Sequence, residues 1–308
     1  MLESAYEFVA LDVANAALYE NLTYPSFRPL LQGLIPNGST IAVGVRFLLS
    51  PVGLVLTKCD GNGGEVLSLF VVPEHRHRGL GKALLSYAER ELYRRGCLYA
   101  SLVYMPNKTT LALEQILASC GWSTPKPRML VGLNTYMSIE NTPLVGVIKN
   151  CLNRYCLPAS FAIFPWLELT LAERETIENQ QGTFGWHPEF LSPFNEEDIL
   201  EPCNSLGLRY QEQVVGWIIT HRVTVNTVRY TSLFVRQDLQ RLGRAIPLMF
   251  TAFLLQLKIK DATKAIFTVR ADNAAMLRFV HKRIAPNLAS IRQSMETSKL
   301  LNASVLSQ

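Results

Sequence analysis

The clearest pattern in the chain is a run of β-branched and aromatic residues over 66–72, followed by apolar residues spaced three and four apart: Leu80, Ala83, Leu84, Tyr87, Ala88 and Leu92. The first predicts a buried strand and the second an amphipathic helix that Gly96 ends. Upstream, the pattern predicts a short strand at 7–11, helical stretches over 14–34 and a hairpin over 40–59 that turns at Leu49-Ser50-Pro51. Downstream it predicts a strand at 98–105, a helix at 109–119 and a closing strand at 129–138. A similar order then returns. Thr170-Leu-Ala-Glu173 has the form of a capping box that starts a helix. Strands at 208–222 and 228–235, a helix at 244–258, a strand at 265–270 and a helix from Asn273 follow.

The return is literal in places. Ser68-Leu-Phe-Val71 recurs as Ser232-Leu-Phe-Val235, 164 positions on, and in the same register Gly79 and Gly81 meet Gly243 and Ala245. A period this long means duplicated domains rather than a solenoid. The segment 141–164, interrupted by Asn-Thr-Pro, Leu-Pro and Phe-Pro, predicts the boundary, giving domains 1–145 and 146–308. Hairpins before the central helix and crossovers after it predict an α+β fold with a mixed sheet in each.

Composition fits this reading. With 308 residues, 48% hydrophobic and 18% charged, the chain can build two cores and is neither disordered nor fibrous. Its longest apolar stretch, 245–257, stops between Arg244 and Lys258, too short to span a membrane. The start carries Glu3 and Glu7 and no base, which does not read as a secretory signal, so a cytoplasmic protein is expected. Six cysteines without a C-x-x-C pair, and His75, His77, His187, His221 and His281 without ligand spacing, predict reduced thiols and no metal. A net charge of +5 suits an anionic small ligand and does not exclude nucleic acid, but basic and aromatic residues are not interleaved, so no nucleic-acid partner is expected.

The segment with chemistry in it is Leu69-Phe-Val-Val-Pro-Glu-His-Arg-His-Arg-Gly-Leu-Gly-Lys82, a strand that enters a basic, glycine-containing turn and then a helix. Free N–H groups and the dipole at a helix start, with glycines that admit a close ligand, make an anion cradle. A dinucleotide fingerprint would need glycine at Leu84, and a P-loop would need glycine at Arg76 and Ser or Thr at Ala83. Arg76-x-x-Gly79-x-Gly81 instead resembles the Q/R-x-x-G-x-G/A signature of the GNAT superfamily of acyl-CoA N-acyltransferases, and Gly121-Trp122 resembles the pair that ends a later helix in that family.

The resemblance covers both halves and implies two tandem GNAT-like domains, with acetyl-CoA or another acyl-CoA as co-substrate and a small-molecule or peptide or protein amine as acceptor. It implies a pyrophosphate cradle of Arg76, His77, Arg78, Gly79, Leu80, Gly81 and Lys82, a pantetheine-pairing strand edge at Phe70, Val71 and Val72, and a contact from Asn107. Glu65, eleven residues before Arg76, is the implied general base. The family's acidic tyrosine is missing, because Leu117 stands five residues before Trp122; Tyr87 and Tyr104 are the substitutes in view. Tyr19, Tyr24 and Phe27 fall where the family builds its acceptor pocket.

The second half departs further. Arg229 replaces Glu65 in register, one loop glycine is lost, and Pro247 enters the central helix, so a degenerate domain is expected there. Its helix over 246–257 has almost no polar face, which predicts an interface between halves or a homodimer contact. The competing reading is an acyl-CoA-binding sensor without turnover.

Overall fold

The computed structural model describes residues 6–35, 38–135, 143–240, 243–303 and 305. In chain order the elements are β1 (Tyr6–Ala10), α1 (Arg28–Gln32), β2 (Thr40–Phe47), β3 (Ser50–Asp60), β4 (Gly63–Val71), α2 (Leu80–Arg94), β5 (Tyr99–Tyr104), α3 (Thr110–Ser119) and β6 (Lys126–Thr135). There follow α4 (Pro143–Arg154), β7 (Phe161–Pro165), α5 (Leu171–Gln180), β8 (Leu206–Tyr210), β9 (Gln213–Thr224), β10 (Thr227–Val235), α6 (Gln237–Gln240), α7 (Ala245–Gln256), β11 (Lys264–Arg270), α8 (Ala274–Phe279) and β12 (Ser290–Leu300).

Two compact units result. The first holds the described residues up to Arg128 together with those from Gln293 on, and the second holds Met129–Arg292. Within the first, the strand order is β1-β2-β3-β4-β5-β12; within the second it is β7-β8-β9-β10-β11-β6. Each unit has three antiparallel pairings, one parallel crossover (β4 with β5, β10 with β11) and a last antiparallel strand. The duplication seen in sequence is thus a duplication of topology, but the sixth strand of each unit comes from the other half of the chain. These units divide at Arg128 and Arg292 rather than at residue 145, because β6 closes the second sheet and β12 the first.

Several elements differ from the sequence reading. The helical stretches expected over 14–34 are two 3-10 helices, Ala16–Leu22 and Pro25–Phe27, and the single turn α1, so their type but not their place differs from an ordinary α-helix. The strand expected over 208–222 is a hairpin whose turn places Gln211 and Glu212 at positive φ, without the glycine that marks such turns. The presumed linker contains α4 and β7. Residues 136–138 of the expected closing strand lie outside the described residues, as do Arg241 and Leu242 of the second loop.

Helix α7 is apolar all round because it is buried inside its own unit. Leu248 and Ala252 pack in the core that also contains Leu206, Leu208 and Ile218, while Phe250 and Phe253 pack with Ile148 of α4. None of its residues is exposed, so the helix offers no free apolar face for a second subunit, and the interface expectation is replaced by a core helix between sheet and α4.

The capping box forms as read. Thr170 Oγ1 accepts from the Glu173 amide and Glu173 accepts from the Thr170 amide, and the carboxylate is also paired with Arg209 at 2.7 Å. Arg209 foremost, then the Thr170 donors, lowers the Glu173 carboxyl to about 2. A lowered folded-state value stabilises above the ordinary carboxylate range and is lost as pH falls toward 2. The urea midpoint is therefore expected to fall between about pH 4.5 and 2, and Glu173→Gln should flatten part of that fall; an unchanged profile would contradict the pairing.

Candidate active site

The basic turn of the first unit is built by β4 and α2. After a 3-10 turn, Pro73–His75, the backbone passes through His77 at φ 59° and Gly79 at φ 78°, then enters α2 without a side-chain cap. The first amides of α2 therefore face outward unpaired by the helix itself. A Cβ at Gly79 would meet nothing within 4 Å, so its need for glycine is conformational and the cradle is open. At Gly81 a Cβ would come within 2.9 Å of Ile116 Cδ1 on α3.

The predicted cradle residues take different parts. His77, Arg78, Gly79 and Lys82 are exposed, and neither Arg78 nor Lys82 has an acidic partner among the described residues. Leu80 is 5% exposed, so only its backbone faces the cradle. Arg76 turns back: its Nε donates to the Val71 carbonyl at 2.9 Å and its guanidinium lies 5.8 Å from the Phe70 ring. It shapes the loop rather than reaching outward. His75, between the rings of Tyr6 and Phe47, is held by the Tyr6 hydroxyl at 2.8 Å.

Below the cradle, β4 and β5 diverge. Their pairing runs from Gly63↔Tyr99 to Val66↔Leu102 and ends there, although the strands continue to Val71 and Tyr104. Against β3, Leu56↔Ser68 and Thr57↔Val66 leave Leu67 as an extra residue, a bulge that bends β4 at the vertex of the gap. Phe70 and Val71 of β4, and Val72 just after it, are half-buried and lie beyond the last pairing of β4 with β5. Glu65 is exposed one residue before the vertex, opposite Lys58 on β3 and Ser101 on β5.

Other predicted residues are placed less favourably. The Asn107 side-chain oxygen accepts from the Thr109 amide and hydroxyl at 2.8 and 2.7 Å, which makes Asn107 a builder of the turn into α3. Leu117 is 1% exposed in the core. Tyr87 is partly exposed and stacked on Phe8 at 5.0 Å, whereas the Tyr104 hydroxyl donates to Glu114 of α3 at 2.5 Å. Tyr19 is buried against Gly44, so of the proposed aromatic pocket only exposed Tyr24 and half-buried Phe27 remain near the surface.

The sequence reading missed one group. Glu89 on α2, wholly buried, accepts from Trp122 Nε1 at 2.6 Å and pairs with Lys299 of β12 at 2.5 Å. An acid on a helix that carries Glu89, Arg90, Glu91 and Arg94 reads as a solvated face; the signal that could have found it is the i, i+4 relation of Glu89 to Leu85, in the apolar stripe.

The second unit repeats the loop but not its surroundings. Gly243 has φ 69°, and Gln240 Nε2 donates to the Val235 carbonyl at 2.7 Å, as Arg76 does to Val71. A Cβ at Gly243, however, would lie 3.2 Å from the Tyr155 ring, and Arg244 stacks at 4.9 Å on Phe161. The register shift in β10 falls at Thr231, the counterpart of Leu67. Around it Arg229 donates to Thr231 Oγ1 at 3.1 Å and pairs with Glu196, and buried His221 lies 2.7 Å from the same hydroxyl. Burial, then Arg229, lowers the His221 imidazole below its usual value.

The sequence profile of the acetyltransferase (GNAT) family matches residues 16–115, within the first unit. No curated protein sequence matches. Among solved structures, a GCN5-related N-acetyltransferase from Sphaerobacter thermophilus is similar with a TM-score of 0.67 at 14% identity, covering 98% of both chains. A tandem GNAT protein from the clavulanic acid biosynthesis pathway gives 0.65 at 13%, covering 96% of this chain and 99% of that one. The glucosamine N-acetyltransferase region of a fungal multi-domain GH3 β-N-acetylglucosaminidase gives 0.62 at 14%, covering 96% of this chain and 38% of that one. At these identities the likeness is one of fold. Among the described residues no helix is long and apolar enough to cross a membrane, and no His, Cys, Asp and Glu cluster could hold a metal.

Proposed function

We infer, from residues 16–115 belonging to the GNAT acetyltransferase family and from a tandem GNAT fold over the whole chain, that the first unit transfers an acyl group from acyl-CoA, most simply acetyl-CoA, to an amine. The observation that carries this reading is the open cradle at the start of α2 continuous with the unpaired edge of β4. The outward amides of Gly79, Leu80 and Gly81, with Arg78 and Lys82 nearby, suit a pyrophosphate. From Val72 back to the bulge at Leu67 is five residues, roughly 16 Å, a length that suits an extended pantetheine arm paired with β4.

The thioester then lies near the bulge, where a backbone N–H polarises its carbonyl. Glu65, one residue before the vertex, takes the proton of the attacking amine, directly or through water. The second unit supports the fold and has lost this chemistry: Tyr155 flanks its loop glycine, and Arg229, the counterpart of Glu65, is occupied by Glu196.

The experiment is thiol release from acetyl-CoA with a panel of primary amines. Glu65→Gln is expected to lower kcat at neutral pH by about 10²-fold, with the acetyl-CoA KM little changed; a fully active variant would remove Glu65 from the mechanism. Buried Leu117 favours the competing reading, a sensor that binds acyl-CoA without turnover. Binding without thiol release from any amine would select it.

A further inference from the structure

The positive charge of this chain is concentrated in one stretch. Residues 257–292 carry eight Lys and Arg against Asp261 and Asp272, a net charge of +6, whereas the whole chain has +5, so everything outside the stretch is near neutral at −1. The stretch belongs to the second unit and runs from the end of α7 through β11 and α8 to the first residues of β12. Lys258, Lys260, Arg278, Lys282, Arg283 and Arg292 are exposed, and none of the six has an acidic partner among the described residues. The unit's other acids do not serve them: five between Glu168 and Glu201 are already paired with Arg174, Arg209, Arg222 and Arg229. A second copy of the chain therefore has few free carboxylates to offer this stretch, and the missing anions must come from a different molecule.

Packing brings the cations together. Phe250 of α7 and Phe279 of α8 meet with ring centroids 6.4 Å apart, so the two helices are neighbours. Lys258 lies eight residues past Phe250, about 12 Å along the helix, and Lys282 and Arg283 lie about 5 Å past Phe279. The π-helical turn Val280–Ile284 continues α8, and its Val280 and Ile284 turn inward to Leu130 and Val269, which leaves Arg278, Lys282 and Arg283 on the outer side of one helical rod.

We propose that this face of the second unit is a docking surface for double-stranded DNA, an inference independent of the acyltransferase reading of the first unit. Clustered cations without neutralising acids suit a dense line of phosphates, whose condensed counterions they release. Ile291, 36% exposed, is the one exposed large apolar side chain in the stretch among the described residues, so the face lacks the apolar anchors of a protein partner or an inserted membrane helix. It also has no exposed aromatic ring on which unpaired bases could stack. The lack of basic and aromatic interleaving, which argued against nucleic acid in the sequence, thus excludes single strands and not a duplex. A helical rod about 10–12 Å across enters the B-form major groove, about 12 Å wide, whereas the major groove of duplex RNA is too narrow for it. The contacts are to phosphates, so binding is independent of base sequence.

The test is fluorescence anisotropy of full-length protein with a labelled mixed-sequence DNA duplex of about 20 base pairs. With four or five phosphate contacts, affinity is expected to fall about 10²- to 10³-fold between about 50 and 200 mM salt. Lys258→Gln/Lys282→Gln/Arg283→Gln should make the log–log salt slope shallower by about 3, one for each cation removed. The exposed positions leave the melting temperature nearly unchanged. The charge-matched control Lys108→Gln/Lys126→Gln/Lys149→Gln should retain the parent slope. No binding at 50 mM salt would overturn the proposal, as would equal losses in the two triple variants, the mark of net charge alone. Loss with Arg78→Gln/Lys82→Gln instead would move the contact to the first unit and overturn it too. Tighter binding to duplex RNA or to vesicles of anionic lipid than to DNA would replace the proposed partner.

Discussion

Gly79→Val is expected to weaken acetyl-CoA binding by about a hundredfold, or about 2.7 kcal/mol, while shifting the melting temperature only a few degrees. Gly79 sits at φ 78°, where a β-branched residue is strained, yet a Cβ there touches nothing within 4 Å. Valine therefore fits in space but not in backbone conformation. The loop relieves the strain by turning its peptide units, which re-aims the amides that start α2, and since the loop is exposed the core is little disturbed. Gly81→Ala is the contrasting substitution: its Cβ meets only the tip of Ile116, which can move, so a smaller loss is expected. Calorimetric titration beside a thermal melt checks both, and a Gly79→Val protein of unchanged affinity would dissociate this loop from ligand binding.

Lys299→Met is expected to destabilise the first unit by about 3–5 kcal/mol, the usual result of leaving a buried charge without its partner. Glu89 has no exposed surface, and among the described residues its carboxylate accepts from Lys299 Nζ and Trp122 Nε1. Removing Lys299 leaves one neutral indole donor for a buried anion. Adding Glu89→Gln to Lys299→Met should recover much of the loss, because an amide is cheaper to bury than an unpaired carboxylate. Urea denaturation of the single and double variants measures the difference. A single variant within 1 kcal/mol of the parent, on the order of a surface pair, would mean that the pair is not desolvated.

Lys299 also marks the limit of what could be read from the sequence. Elements with strong periodicity, such as α2 and the β4 run, were legible to within a few residues, and the 164-residue repeat disclosed two copies of one topology. The exchange of sixth strands was not legible. β12 reads Ser-Ile-Arg-Gln-Ser-Met-Glu-Thr-Ser-Lys-Leu, a polar stretch whose buried positions are Ser294 and Thr297, so it lacks the apolar alternation that announces a strand. It is held as a strand by its ladder to β5, from Met295↔Tyr104 to Leu300↔Tyr99, a long-range fact that no local window contains. The all-apolar α7 misled for a related reason: what covers it, α4, lay in a stretch whose prolines suggested a linker.

At the candidate site, the turn and its glycines were legible because a turn motif fixes backbone and spacing together, and Gly79 has the positive φ that such a turn needs. Side-chain roles were not. Arg76 has the motif's charge but spends its Nε on Val71, and Asn107 spends its oxygen on a turn. The Tyr104–Glu114 bond joins β5 to α3 ten residues apart, and nothing in the sequence spacing announces it.

The most direct measurement of the central claim is a calorimetric titration of the whole chain with acetyl-CoA. The account predicts one site per chain, weakened about a hundredfold by Gly79→Val and untouched by substitution of Gly243. Two sites would contradict the assignment of a single working cradle, and a single site that survives Gly79→Val but disappears with Gly243→Val would place the ligand in the wrong unit.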